Sequence, residues 1–173
     1  ANNIALIDGN GKVLWEVLGH HFESIDVGQI IPNHRTAQLL VDIDHQPHGK
    51  SPLWVLDEQG NLLGRIVTDY SRHHHLLDWT GDGVNEIMVA HNGCIYNYKG
   101  KCIGVFATPK PTKNGSADET TYERSILTGD MTGDGIPDVV LATPEAVYIF
   151  KNKNGLKPNK PVPLGTGPNF TLY

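Results

Sequence analysis

Apolar and polar residues along the chain fall into short runs that recur. LLVDI, EIMVA and DVVLA are nearly continuous apolar stretches, the pattern of a strand buried on both faces. After each comes a shorter apolar segment, a polar Gly-containing turn and another apolar segment: SPLWVLDEQGNLLGRIV, GCIYNYKGKCIGVFA and EAVYIFKNKNG. Turns such as DEQGN and NYKGK between such segments predict hairpins. Aligned on Asp26, Asp78 and Asp130, the three copies stand 52 residues apart. In the second copy the pattern resolves into four strands, near residues 73–78, 86–91, 93–98 and 101–107. Four strands per unit at this period predict an all-β fold of β-propeller blades, each with four antiparallel strands.

The blades are expected over residues 19–69, 70–121 and 122–173, the last with a Pro-rich insertion before a closing strand, NFTLY. Residues 1–18 match an outer hairpin whose inner strands have no counterpart upstream. About three and a half blades do not close a ring, and bare strand edges invite pairing. The expectation is a seven- or eight-bladed propeller completed by an upstream propeller segment or by a second copy of the chain.

Composition narrows the partners. A formal charge of -5 and a pI near 5.9 lack the basic footprint of a nucleic-acid binder. No apolar run is long enough for a helical membrane span. Two cysteines, Cys94 and Cys102, flank the hairpin GCIYNYKGKCIG. With Lys99 and Gly100 as a two-residue turn, Cys102 faces Asn97 and Cys94 faces Val105, which sets the sulfurs on opposite faces. A bulge in the hairpin would change that register and permit a bridge.

The segments DWTGDGVNE and DMTGDGIPD carry the first candidate chemistry. Oxygen donors at positions 1, 3, 5, 7 (through the backbone carbonyl) and 9 suit a hard cation, and calcium is the natural occupant. The ligands are Asp78, Thr80, Asp82, Val84 and Glu86 in one loop, and Asp130, Thr132, Asp134, Ile136 and Asp138 in the other. The alternative is a tight turn in which the aspartates bond their own backbone without an ion. The corresponding loop of the first copy, GQIIPNHR, lacks these carboxylates and is expected to hold no ion.

These two loops, each after a strand and before an apolar run, resemble the calcium loops of FG-GAP and VCBS-type β-propellers, the fold of integrin α-subunit heads and rhamnogalacturonan lyases. The terminal GTGPNFTLY resembles the tails of secreted bacterial propellers related to polysaccharide lyases and rhamnosidases. The resemblance implies the C-terminal part of a secreted, periplasmic or cell-surface carbohydrate-active propeller. Such a protein would be a polysaccharide lyase or a rhamnose-releasing enzyme acting on acidic plant or algal polysaccharides or oligosaccharides. The alternative is a non-catalytic, calcium-stabilised adhesion or carbohydrate-binding module.

Histidines are the candidates for catalysis. Nine are present, and His21, His73, His74 and His75 precede or open the inner strands of two blades, where a propeller's central channel has its mouth. The alignment sets His21 and His73 at equivalent positions, five residues before Asp26 and Asp78. With Arg72 and Tyr70 they could supply a base, an acid and a cation that neutralises a carboxylate, a set suited to β-elimination from a uronic acid. The alternative role is hydrogen bonding between blades. Asp42, Asp44, His45 and His48 offer mixed nitrogen and oxygen donors in what also reads as a solvated loop. Trp15, Trp54 and Trp79 are candidates for stacking on sugar rings, with Trp54 better suited to packing.

Overall fold

The computed structural model describes residues 3–44, 50–68, 70–108 and 124–155. Among them are thirteen strands and no helix, in four antiparallel sheets. β1 (Asn3–Ile7) and β2 (Val13–Leu18) form a ribbon. β3 (Ile25–Gly28), β4 (Gln38–Asp42), β5 (Leu53–Leu56) and β6 (Leu62–Ile66) form the next sheet. β7 (His74–Leu77), β8 (Glu86–Val89), β9 (Cys94–Tyr96) and β10 (Cys102–Val105) form the third. The fourth holds β11 (Ser125–Gly129), β12 (Asp138–Ala142) and β13 (Val147–Phe150). Each sheet pairs its strands in chain order, and the four strands expected in the second copy are β7 to β10. The expected closing strand NFTLY, with His45 and His48, lies outside the described residues.

The continuous apolar runs have a packing reason. Successive side chains of a strand point to opposite faces, and β8 uses both. Ile87 and Val89 join Ile30, Leu40, Leu53, Val55, Ile66 and Tyr96 in one core. Met88 and the following Ala90 join Leu77, Ile95, Phe106, Ile126, Val139 and Leu141 in another. Each core is therefore built between two sheets rather than within one. Fully burying a side chain of this size is worth about 1.5–3 kcal/mol, so a polar residue at Ile87, Met88 or Val89 would open one of the two contacts. A third cluster, Phe22, Val41, Ile43 and Leu56, receives Ile4 and Val17 from the β1–β2 ribbon. The first strands of the three larger sheets stand side by side, β7 against β3 on one flank and β11 on the other.

Strand pairing corrects the alignment of the first copy. Gly28 faces Gln38, Leu77 faces Glu86 and Gly129 faces Asp138. The residues that leave the inner strand are therefore Gln29, Asp78 and Asp130, and Asp26 lies three positions earlier, inside β3. The first connection has nine residues, 29–37, against eight in 78–85 and 130–137. By the same register, His73 corresponds to Ser24 and His21 to Tyr70, so His21 and His73 are not equivalent.

The hairpin register also differs from expectation. Asn97 N–H bonds the Lys101 carbonyl, leaving three residues in the turn. Cys102 pairs with Tyr96, and a bulge before Gly104 returns Val105 to Cys94. Cys102 thus shares a face with Tyr96 and Cys94, and both thiols are unbridged. Burial, followed by the neighbouring Cys102 thiol, pushes the Cys94 thiol up to about 11.

Candidate functional site

Chemistry-bearing side chains gather at both ends of the inner strands. At the leading end, a bulge assembles the group. Asp42 N–H bonds the Ser24 carbonyl, and two residues later Asp44 N–H bonds the His21 carbonyl. The strand facing β4 therefore uses three residues where two would pair, and such an insertion re-aims side chains. His21 Nε2 comes to 3.7 Å from Glu23 Oε1, while Arg72 Nε from the next unit sits 2.8 Å from Glu23 Oε2. The Glu23 side chain is 2% exposed and that of Arg72 18%. The ligand atoms of His21, Glu23 and Asp44 lie within 4.8 Å of one another.

This packing shifts the groups. Burial pushes the Glu23 carboxyl above its usual range; Arg72 opposes that, and Asp44 and Asp42 add to it. Burial also raises the Tyr70 hydroxyl, against a hydrogen bond with Arg72. His73 is lowered to about 4, first by burial and then by the charges of Arg72 and His74. At neutral pH, Tyr70 is thus a proton donor and His73 an unprotonated imidazole. Their rings are 6.2 Å apart, and the His91 ring also packs on Tyr70, at 5.7 Å.

The other two candidate histidines, His74 and His75, face the seam between sheets. His74 is buried, and its Nδ1 donates to the Ser71 carbonyl at 2.8 Å and lies 3.3 Å from Ser24 Oγ. His75 Nδ1 donates to Asp26 Oδ2 at 3.2 Å, joining β7 to β3. Sequence reasoning grouped all four histidines at the mouth, but the structure brings His21 and His73 to the Arg72 cluster and sets His74 and His75 between units. It also missed Glu23, whose only signal was a charge just before an inner strand.

At the trailing end lie the acidic loops, and both close in the same way. Asp78 Oδ1 accepts from the N–H groups of Gly81 and Asp82, and Oδ2 from Gly83. Asp130 repeats this with Gly133, Asp134 and Gly135. Asp82 and Asp134 cap Val84 and Ile136. Glu86 Oε2 accepts from Trp79 and Thr80 N–H, and Oε1 from the Thr80 hydroxyl. Asp138 Oδ2 accepts from Met131 and Thr132, and Oδ1 from Asn152. Gly83 and Gly135 have φ near +85° and +83°, the left-handed region this turn needs.

In the first unit, Gln38 does the same with an amide: its Oε1 accepts from the N–H groups of Ile30 and Ile31. The side chain that opens the second strand of the sheet therefore closes the loop whether or not it is charged. The donor set fits a hard cation through the oxygens that accept a single N–H and keep a second lone pair, Oδ2 of Asp78 and Asp130 and Oδ1 of Asp82 and Asp134, whereas Oδ1 of Asp78 and Asp130, Glu86 Oε2 and Asp138 Oδ2 each already accept two. The loop carboxylates do not converge as tightly as His21, Glu23 and Asp44 do among the described residues. In the third unit, Lys151 Nζ contacts Asp134 Oδ2 at 2.8 Å.

The three tryptophans, all partly buried, each make packing contacts. Trp15 donates to the Glu58 carbonyl and lies over Gly60, Trp54 takes the Arg65 guanidinium on its face, and Trp79 meets Phe106 edge-on at 5.3 Å. Compared with models of known protein families and with curated proteins, the chain matches none of either.

Proposed function

We propose that the chain is part of a secreted carbohydrate-active β-propeller that acts on acidic glycans by acid–base chemistry, with uronate β-elimination favoured over glycoside hydrolysis. The reading rests on one observation: an unprotonated His73 and a protonated Tyr70 stand ring to ring beside the Arg72 guanidinium. In the proposed step a His73 nitrogen takes the proton α to the sugar carboxylate. The carbon–carbon double bond forms as the β carbon–oxygen bond breaks, and the Tyr70 hydroxyl protonates the leaving oxygen. Arg72 would exchange its bond to Glu23 for one to the substrate carboxylate.

Calcium belongs to this proposal as a structural ion of the two acidic loops. Asp78, Thr80, Asp82, Glu86 and the Val84 carbonyl would hold one ion, and Asp130, Thr132, Asp134, Asp138 and the Ile136 carbonyl another. Support for completion by an upstream segment or a second copy is the apolar surface of the outermost strands, where Val13, Leu14, Leu18, Val147 and Ile149 are exposed.

Incubating the protein with a uronate-containing polysaccharide and following the absorbance of the unsaturated product tests the enzymatic reading. Turnover lost on substituting His73→Ala or Tyr70→Phe supports it, and turnover unchanged by both refutes it. A second reading, a glycan-binding module, has its own support. A cavity of about 350 Å³ beside the first acidic loop is lined by Asp82, Val84, Asn97, Tyr98 and Ile103. Binding of the polysaccharide without turnover, lost on Tyr98→Ala, would favour that reading.

A further inference from the structure

We propose that His21, Glu23 and Asp44 form a site for a divalent transition metal of the zinc class. The inference stands apart from the enzymatic reading, because it concerns donor geometry and not turnover. In tetrahedral zinc sites the metal–ligand bonds are about 2.0–2.1 Å, which sets ligand atoms about 3.3 Å apart. His21 Nε2 and Glu23 Oε1 are already 3.7 Å apart, and all three ligand atoms lie within 4.8 Å. An imidazole nitrogen with two carboxylate oxygens suits zinc better than calcium or magnesium, which take oxygen alone. Three protein ligands leave the fourth position open to water or an anion.

The surroundings have the organisation of a metal centre. Arg72 Nε lies 2.8 Å from Glu23 Oε2, while His21 approaches Oε1, an ion pair placed as the outer partners of ligating carboxylates are. A second, independent observation comes from Asp42, two residues before Asp44 and therefore on the same face of the strand. Asp42 is fully buried. Its Oδ1 accepts from the N–H groups of Glu23 and Ser24, and its Oδ2 is buried with no hydrogen-bond partner among the described residues. A buried carboxylate oxygen without a donor is costly, and a cation beside Glu23 would offset that cost.

Zinc titrated into the chelator-stripped chain against a chromogenic competitor tests the proposal. The expected result is one zinc per chain, not displaced by excess calcium, with affinity reduced more than tenfold in His21→Ala and in Asp44→Asn. Both ligands are only half-buried, so these variants should fold; a circular-dichroism melt without metal checks that. Cobalt(II) in the native chain should give the visible absorption of a four-coordinate site, absent from both variants. Asp78→Asn and Asp130→Asn, at the other end of the strands, should bind zinc as the native chain does. Absence of zinc binding, equal binding in His21→Ala and Asp44→Asn, or loss of the site in Asp78→Asn would overturn it.

Discussion

The two ends of β7 are built from the same residue types by opposite means. At the trailing end, Asp78 and Glu86 bond N–H groups three to seven residues away, and the third unit repeats the pattern bond for bond. At the leading end, Glu23 meets Arg72 across 49 positions of sequence, and burial displaces the protonation of Glu23, Tyr70 and His73. Locally satisfied carboxylates make a turn and, as proposed, an ion site that stabilises it. Groups gathered from distant segments and shifted by burial are the usual material of chemistry.

The largest effect should come from breaking the leading end. Arg72→Met leaves Glu23 buried beside Asp44 and Asp42 without its cation, and should cost about 3 kcal/mol in denaturant unfolding. Adding Glu23→Gln to that variant should recover most of the loss. Calcium comes next. At a hundred times its dissociation constant it should stabilise the chain by about 2.7 kcal/mol, read as a melting temperature that falls with chelator. Asp82→Asn should remove more of that response than Asp134→Asn, because Lys151 already compensates Asp134. Lys151→Met should strengthen the response of the third unit's loop.

The position-9 residues give a smaller and sharper contrast. Asp138→Asn must turn an NH₂ toward an N–H at one of its two ends, and should cost about 2 kcal/mol. Glu86→Gln can imitate Gln38 and should cost less than about 1 kcal/mol while still weakening the calcium response. A further expected effect is pH-dependent. With the folded-state value of His73 near 4 against 6.5 for the ordinary imidazole, the unfolded chain binds the extra proton between those values. Its contribution to stability is full above pH 6.5 and is lost as pH falls toward 4. Thermal melts across this window should show a drop that is reduced in His73→Asn.

Much of the fold was legible because its signals are local. The runs in EIMVA and DVVLA and the turns around Gly60 and Gly100 mark β8, β12 and the outer hairpins without knowledge of their neighbours. What the sequence concealed was register. Asp26 and Asp78 share a residue type but not a register, since Asp26 lies inside β3 three positions before the residue that matches Asp78, and the bulge before Gly104 brings Cys102 to the face of Cys94. The bulge opposite Asp42 and Asp44 hides the leading-end cluster in the same way: Asp44 was read beside His45 and His48 along the chain, whereas its neighbours in space are His21 and Glu23. Bulges are chosen by tertiary packing, so nothing in the local pattern announces them.

The division of β8 between two cores has a consequence for folding. A strand whose alternate side chains belong to different neighbours has no complete core of its own, so the cooperative element is the seam between sheets and not the sheet. Order should spread outward from Ile87, Met88 and Val89 as a zipper along the chain, nearest neighbour by nearest neighbour. In native-state hydrogen exchange the β8 amides should open only with the whole molecule, while the β1–β2 ribbon, with a neighbour on one side among the described residues, should fray first.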